Sequence, residues 1–348
     1  MGTINVLGKW DLEKGIWVNG NMMNAGRSFA IADYNPIIND NGKINYIIID
    51  QGSRVENHSR DFVNIKEREV RIDNVISYFE SHNDNYQIKL FLMDADAPII
   101  EDAKLFARYI QSLALLPDTN LVNVIGLSKC GVMNFYVPRF FNNPQAFDKV
   151  NIYNIATPYT GTKMASPLVF YPEIRSYISS IFGDNALSST ISDMVIKLYK
   201  SISSNSHMDY DIAISGGISD DLLYCYDENF IKNVFCDDNV EAINKLNSFK
   251  NFSTEIDDDV IREAIRTFNL DGLALCMLDR IFFQGKSDGM VYTESQKQVE
   301  RYLDVKSIML KSHHDVNSNT RAFNEVLGVL DDTILEFNDR NKVLKKMY

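Results

Sequence analysis

Through the first half of the chain, short apolar runs rich in β-branched residues alternate with stretches of helical period. Residues 15–18 (GIWV) predict a strand ended by Asn19-Gly20, and residues 44–50 (INYIIID) a second strand, apolar nearly throughout, as burial on both faces requires. A helical period over 62–79, closing in VISYFE, separates it from a third strand at 88–93 (IKLFLM). Asp94-Ala95-Asp96-Ala97-Pro98 then leads into a helix over 100–115. The strand at 121–126 (LVNVIG) runs directly into Leu127-Ser128-Lys129-Cys130-Gly131 and another helix, and residues 151–156 (NIYNIA) form one more strand, closed by Thr157-Pro158. Strands alternating with crossover helices imply an α/β protein, with a mostly parallel sheet and helices on both faces.

From about 163 to 279 the pattern changes to mainly helical, as in SYISSIF, ISDMVIKLYKSI, NVEAINKLNSF and DDVIREAIRTF. Asp257-Asp258-Asp259 fits the N-terminus of the last of these helices, where acidic side chains accept from backbone N–H groups. A calcium loop would need carboxylates at alternate positions and a turn glycine, which this run lacks. Strand patterns return at 280–284 (RIFFQ) and 305–310 (VKSIML), and an amphipathic helix covers about 320–344. The expected organisation is an α/β core, residues 1–162 and 280–348, interrupted by a helical insertion over 163–279.

Composition narrows the function. At ~150 residues per domain, 348 residues make two units or one enlarged domain. The net charge of −12, from 35 Lys and Arg against 47 Asp and Glu, argues against a nucleic-acid partner and against charge-driven docking on anionic lipid. The four cysteines (Cys130, Cys225, Cys236 and Cys276) form no CxxC pair and no metal-ligand cluster with histidine, as expected of reduced, buried thiols. The start, MGTINVLGKWDLEKG, carries no basic-then-apolar leader, and no apolar run approaches the ~20 residues of a membrane helix. The expectation is a cytoplasmic protein, with leaderless secretion left open.

Chemistry concentrates at Val124-Ile125-Gly126-Leu127-Ser128-Lys129-Cys130-Gly131. Small residues flank Ser128 at −2 (Gly126), +2 (Cys130) and +3 (Gly131), between a predicted strand and a predicted helix. Such spacing suits a strained turn that lifts a serine hydroxyl above a sheet edge and aims the next amide, that of Lys129, at a developing oxyanion. Cys130 lies two residues past the exposed position and reads as a structural thiol. The segment resembles the G-x-S-x-G nucleophile elbow of the α/β-hydrolases, with Cys130 in place of the second glycine.

The resemblance extends along the chain. Ser287-Asp288-Gly289-Met290-Val291, followed by Ser295, is similar to the lipase segment whose aspartate orients the catalytic histidine, so Asp288 is the implied acid. By itself Ser-Asp-Gly is also simply a good turn. Two of the five histidines, His313 and His314, follow the last predicted strand in Ser312-His313-His314-Asp315-Val316, where such an enzyme carries its base, and the chain order Ser, Asp, His agrees. The aliphatic Val316 three residues on favours His313, with His314 the alternative; His58, His82 and His207 are assigned no role. Gly15-Ile16-Trp17-Val18-Asn19-Gly20-Asn21-Met22 resembles the lipase oxyanion loop, which makes the Asn21 amide the second donor, with Met22 one residue off. Asp50-Gln51-Gly52-Ser53 is the competing loop. Asn154-Ile155-Ala156-Thr157-Pro158-Tyr159-Thr160-Gly161-Thr162 resembles a lipase segment that usually has glycine where Ala156 stands.

The resemblance implies an α/β-hydrolase fold with a helical cap, and a serine hydrolase of carboxylic esters, lipase- or esterase-like, that needs neither cofactor nor metal. Its substrate would be a small acyl ester or lipid, and any membrane contact would come from an apolar rim on the cap. Phe170, Tyr171, Tyr177 and Phe182 could line an acyl site there or serve as core. A catalytically inactive interaction protein of the same fold, and an acyltransferase or thioesterase with the same triad, are the alternatives. The oligomeric state is not legible.

Overall fold

The computed structural model describes residues 5–6, 16–18, 21–23, 29–33, 42–53, 75–79, 85–94, 99–162, 228–267, 273, 275–276, 279–280, 285, 287–312 and 320–347. The strands are β1 (Asn5–Val6), β2 (Ile16–Val18), β3 (Asn21–Met23), β4 (Phe29–Asp33), β5 (Ile44–Ser53), β6 (Asn85–Asp94), β7 (Thr119–Leu127), β8 (Val150–Ile155), β9 (Ser248–Glu255) and β10 (Ile308–Lys311). The helices are α1 (Ile99–Ala114), α2 (Lys129–Tyr136), α3 (Glu228–Val234), α4 (Asp237–Asn244), α5 (Asp258–Arg266), the single turn α6 (Thr293–Gln296) and α7 (Thr320–Met347). Residues 75–79 are also helical.

Eight strands form one sheet in the order β1-β4-β6-β5-β7-β8-β9-β10. The six strands from β6 to β10 are mutually parallel, whereas β4 runs antiparallel to β6 and β1 antiparallel to β4. Side chains of successive strand residues point to opposite faces, and the apolar runs divide accordingly. Tyr46, Ile48, Val122, Val124 and Ile152 pack with α1 and α2 on one face. Ile47, Ile49, Leu121, Ile125, Tyr153 and Ile155 pack with residues 75–79 and α7 on the other. Both helix layers are fixed by stripes of helical period, Ile99, Ala103, Phe106, Ile110 and Leu113 on α1 and Phe323, Val326, Leu330 and Ile334 on α7.

Three expectations require correction. The stretch 163–279 is not helical throughout: β9 lies inside it and fills the sheet between β8 and β10, so the core has resumed well before residue 280. The sequence misleads because Phe249 and Phe252 sit at helical spacing and three of the five buried residues of β9 are polar: Asn251, Ser253 and Thr254 are 0% exposed. Those groups are satisfied only by distant partners, which no local pattern announces. Secondly, residues 279–280 are helical where a strand was expected over 280–284, and 281–284 lie outside the described residues. Thirdly, the strand expected at 15–18 is present as β2 but lies outside the main sheet, pairing antiparallel with β3 in a separate two-stranded sheet. Asp257 caps α5 as expected, its side chain accepting from the N–H groups of Asp259 and Val260, both at 3.0 Å. The helical segments expected between 163 and 227 lie outside the described residues.

Registry brings the strand ends that matter to one edge. Asp50 on β5 is level with Gly126 on β7, Leu127 with Ile155 on β8, Ile155 with Phe252 on β9, and Glu255 with Lys311 on β10. Among the described residues no helix is long and apolar enough to cross a membrane.

Candidate active site

Ser128 follows β7 and caps α2 with φ 57° and ψ −123°, a backbone region costly for any residue with a Cβ. Its neighbours impose the strain. The Ser128 N–H donates to Ile155 O at 2.9 Å, and the Gly131 N–H donates back to Ser128 O at 2.9 Å, closing the first turn of α2. A Cβ on Gly126 would collide with the Asn134 side chain, and one on Gly131 with the Thr157 hydroxyl. The turn is therefore packed too closely for a side chain at −2, against α2, or at +3, against Thr157 after β8, while Cys130 at +2 is buried at 1% exposure. Ser128 itself is half-buried, and Lys129 opens the helix, where the first backbone N–H groups point outward from its N-terminus.

Two strands away, Asp288 is wholly buried. Its Oδ1 accepts from the N–H groups of Met290 at 2.9 Å and Val291 at 2.8 Å. Its Oδ2 accepts from the Thr254 hydroxyl on β9 at 2.6 Å and from the Gln296 amide on α6 at 3.0 Å. The turn bearing the acid is pinned in its own right. Asp279 Oδ1 accepts from Ser287 Oγ at 2.8 Å and Ser287 N at 3.2 Å, and Ser287 Oγ accepts from the Gly289 N–H at 2.9 Å. Gly289 has φ 92° and lies against the Leu275 backbone, so the turn admits no larger residue there. Burial raises the Asp279 carboxyl above its ordinary pKa, a rise opposed by its Ser287 bonds and by Arg280.

The loop after β8 joins the two sides. Thr157 abuts Gly131 of the serine turn. Further on, the Thr160 N–H and hydroxyl bond Ser295 Oγ at 3.1 and 2.7 Å, and the Thr162 hydroxyl donates to Met290 O in the acid turn. Ala156 takes φ 52°, which explains the glycine common at that position in the segment it resembles. Beneath the loop runs a buried relay of hydrogen bonds. Asn154 Nδ2 donates to Gly131 O at 2.7 Å and lies 3.0 Å from the Tyr159 hydroxyl. Tyr159 donates to Asn251 Oδ1 at 3.1 Å, and Asn251 Nδ2 donates to Gln296 O at 2.9 Å. Burial drives the Tyr159 hydroxyl pKa upward, so it remains a protonated donor.

The sequence-derived residues are distributed as follows. Ser128, Lys129 and Asp288 lie at the same sheet edge. His313 and His314 lie outside the described residues; the described chain reaches Ser312, whose N–H donates to Glu255 O at 3.2 Å, next to the Thr254 that holds Asp288. Asn21 and Met22 sit in β3, paired with Val18 and Trp17, and this ribbon packs on β4, two strands removed from β5 and three from β7. The competing loop at 50–53 ends β5, immediately beside β7. Sequence reasoning missed Thr254, Gln296 and Asp279, since each acquires its role only through partners 8 to 42 positions away. Among the described residues no group of three His, Cys, Asp or Glu could hold a metal ion.

Counting only the strands of the large sheet, the order is 1-2-4-3-5-6-7-8 with the second antiparallel, and the strained serine follows the fifth. This is the α/β-hydrolase fold. No protein-family model and no curated protein matches the chain. Solved structures do. The chain is similar to the mature lipase BlEst2 of Bacillus licheniformis at 13% identity, covering 84% of this chain and 94% of that one, with TM-score 0.48. It is similar to esterase B of Lactobacillus rhamnosis at 11% identity, over 99% and 90% of the two chains, with TM-score 0.40. A carboxylesterase of Nitrososphaera gargenis is similar at 12% identity, over 88% and 96%, with TM-score 0.40.

Proposed function

We propose that the protein is a serine hydrolase of carboxylic esters. The observation that carries this reading is Ser128 at φ 57°, on a turn whose packing excludes larger residues, with a buried aspartate held by four donors at the same sheet edge. A strained non-glycine residue is stable only where its surroundings impose it, and such strain concentrates at reactive positions.

In the mechanism, Ser128 Oγ attacks the ester carbonyl carbon while the base takes its proton, forming a tetrahedral oxyanion. Collapse of that intermediate breaks the acyl–oxygen bond, and the protonated base delivers its proton to the leaving alkoxide. Water, deprotonated by the same base, then attacks the acyl-enzyme and releases the carboxylic acid. His313 is the proposed base, with His314 the alternative, and Asp288 orients the imidazole and stabilises its charged form. Chain continuity supports this pairing, because His313 directly follows Ser312, which is bonded to the residue after Thr254. The Lys129 amide supplies one oxyanion donor. For the second, the end of β5 (Gln51 to Ser53) replaces Asn21 as the favoured source, because it adjoins the serine strand as the early-strand loop of an elbow does. Residues 163–227, between the β8 loop and α3, are the proposed cap over the acyl site.

A fluorophosphonate probe tests the reading. The expected result is a covalent adduct on Ser128, lost in Ser128→Ala together with ester turnover. A folded protein that takes no adduct is an interaction protein on this fold, and the hydrolase reading fails.

A further inference from the structure

Gln296 is wholly buried, and its amide orientation is unambiguous. Oε1 accepts from the Thr254 N–H at 2.6 Å, a group that can only donate. Nε2 therefore faces Asp288 Oδ2 at 3.0 Å, as well as the carbonyls of Val291 at 3.2 Å and Thr254 at 3.3 Å. The Gln296 main-chain carbonyl ends the relay that begins at Gly131 O, three residues beyond the nucleophile. One residue thus contacts the acid with its side chain and the serine helix, through Asn251, Tyr159 and Asn154, with its backbone. Thr254 completes the cradle with its hydroxyl, 2.6 Å from Asp288 Oδ2 and 3.0 Å from Gln296 Oε1.

We propose that Gln296, together with Thr254, is the positioning residue of the triad acid: a neutral donor that fixes the Asp288 carboxylate relative to the serine turn. This rests on the hydrolase reading above. Neutrality is essential, because Nε2 donates to a carboxylate oxygen 3.0 Å away. Replacing the amide nitrogen by oxygen, as in Gln296→Glu, sets a second carboxyl against Asp288. Like charges so close, away from water, raise the pKa of the pair, so the introduced carboxyl is a donor when protonated and repels Asp288 when ionised. Among the described residues, the other ionisable groups on the surrounding segments are Lys250, Glu255 and Lys311 on the strands, Tyr292, Glu294, Lys297, Glu300 and Arg301 around α6, and Asp279 with Arg280 behind Ser287. All are retained in every variant.

The test measures kcat and KM of Gln296→Glu relative to the unaltered protein from pH 5 to 9 on a short-chain ester, with probe labelling of Ser128 alongside. The ratio of kcat values should fall roughly 100-fold at alkaline pH, the scale of misplacing a reacting group by about 1 Å. It should climb back toward unity as pH falls, with KM unchanged. Thr254→Val, which keeps shape and loses the hydroxyl, should lower kcat about tenfold at every pH, and Thr254→Ser should restore it. A ratio independent of pH in Gln296→Glu, or full turnover in Thr254→Val, overturns the inference. Failure of the hydrolase reading is distinct: the unaltered protein then takes no adduct and turns over no ester.

Discussion

The two halves of the candidate site are built by opposite means. On the serine side, backbone and van der Waals contact do the positioning: a residue at φ 57°, glycines with no room for a Cβ, and an apolar strand and helix crossing closely. On the Asp288 side, buried polar side chains from separate segments join the turn's own backbone amides: Thr254, Gln296, Asp279, Ser287, Ser295 and Asn251. Steric exclusion leaves its mark in the small residues of one eight-residue stretch, even though Asn134 and Thr157 supply the opposing atoms. A polar cradle must bring its donors and acceptors from separate segments, since each buried group left unpaired costs about 1–3 kcal/mol. The first arrangement tolerates no added atom, and the second tolerates no lost partner.

The largest effect should come from relieving the serine strain. Ser128→Gly removes the nucleophile and the cost of φ 57° together. Ester turnover should fall about a millionfold, while denaturant unfolding should show a gain of about 1 kcal/mol. A loss of stability would mean that the turn is not strained. Next, Gly131→Ala drives a methyl into the Thr157 hydroxyl and should cost about 2 kcal/mol as overpacking. Adding Thr157→Ala should recover part of that cost, and simple additivity of the two changes would remove the steric account.

The acid side is probed by charge. Asp279 binds its proton more tightly in the folded chain because burial raises its pKa. Its burial therefore costs nothing well below the ordinary carboxyl range, where both states are protonated, and destabilises the fold increasingly as pH rises through the raised pKa. Asp279→Asn keeps an acceptor for Ser287 and should be more stable than the unaltered protein near neutrality, with the difference vanishing toward pH 3. Urea midpoints across that range decide it, and a difference that grows on acidification reverses the sign. The smallest effect belongs to a feature outside both halves. Asp257→Ala removes the α5 cap and should cost about 1 kcal/mol, with ester turnover unchanged in a standard assay.

Much of the first half of the fold was legible because its signals are periodic. The runs around Ile44, Ile88, Leu121 and Asn151 are strands of the sheet, and the helix expected from 100 begins at Ile99. β9 escaped because SFKNFSTE carries its apolar residues three apart and its strand character in side chains that meet partners elsewhere. Two strands at the sheet margin, β1 and β4, were also unread; β1 has only two residues and β4 follows a stretch with no clear alternation.

By itself the sequence located a tight strand-to-helix turn at Ser128, from the small residues at −2, +2 and +3, and a turn at Ser287-Asp288-Gly289. Tertiary structure decided what holds that acid. Nothing in the spacing of Thr254, Asp279, Asp288 and Gln296 joins them, because hydrogen-bond partners are chosen by position in space after the sheet has formed. It also decided which early loop lies beside the serine, since strand order, and not proximity along the chain, puts β5 next to β7 and leaves the Asn21 ribbon on β4.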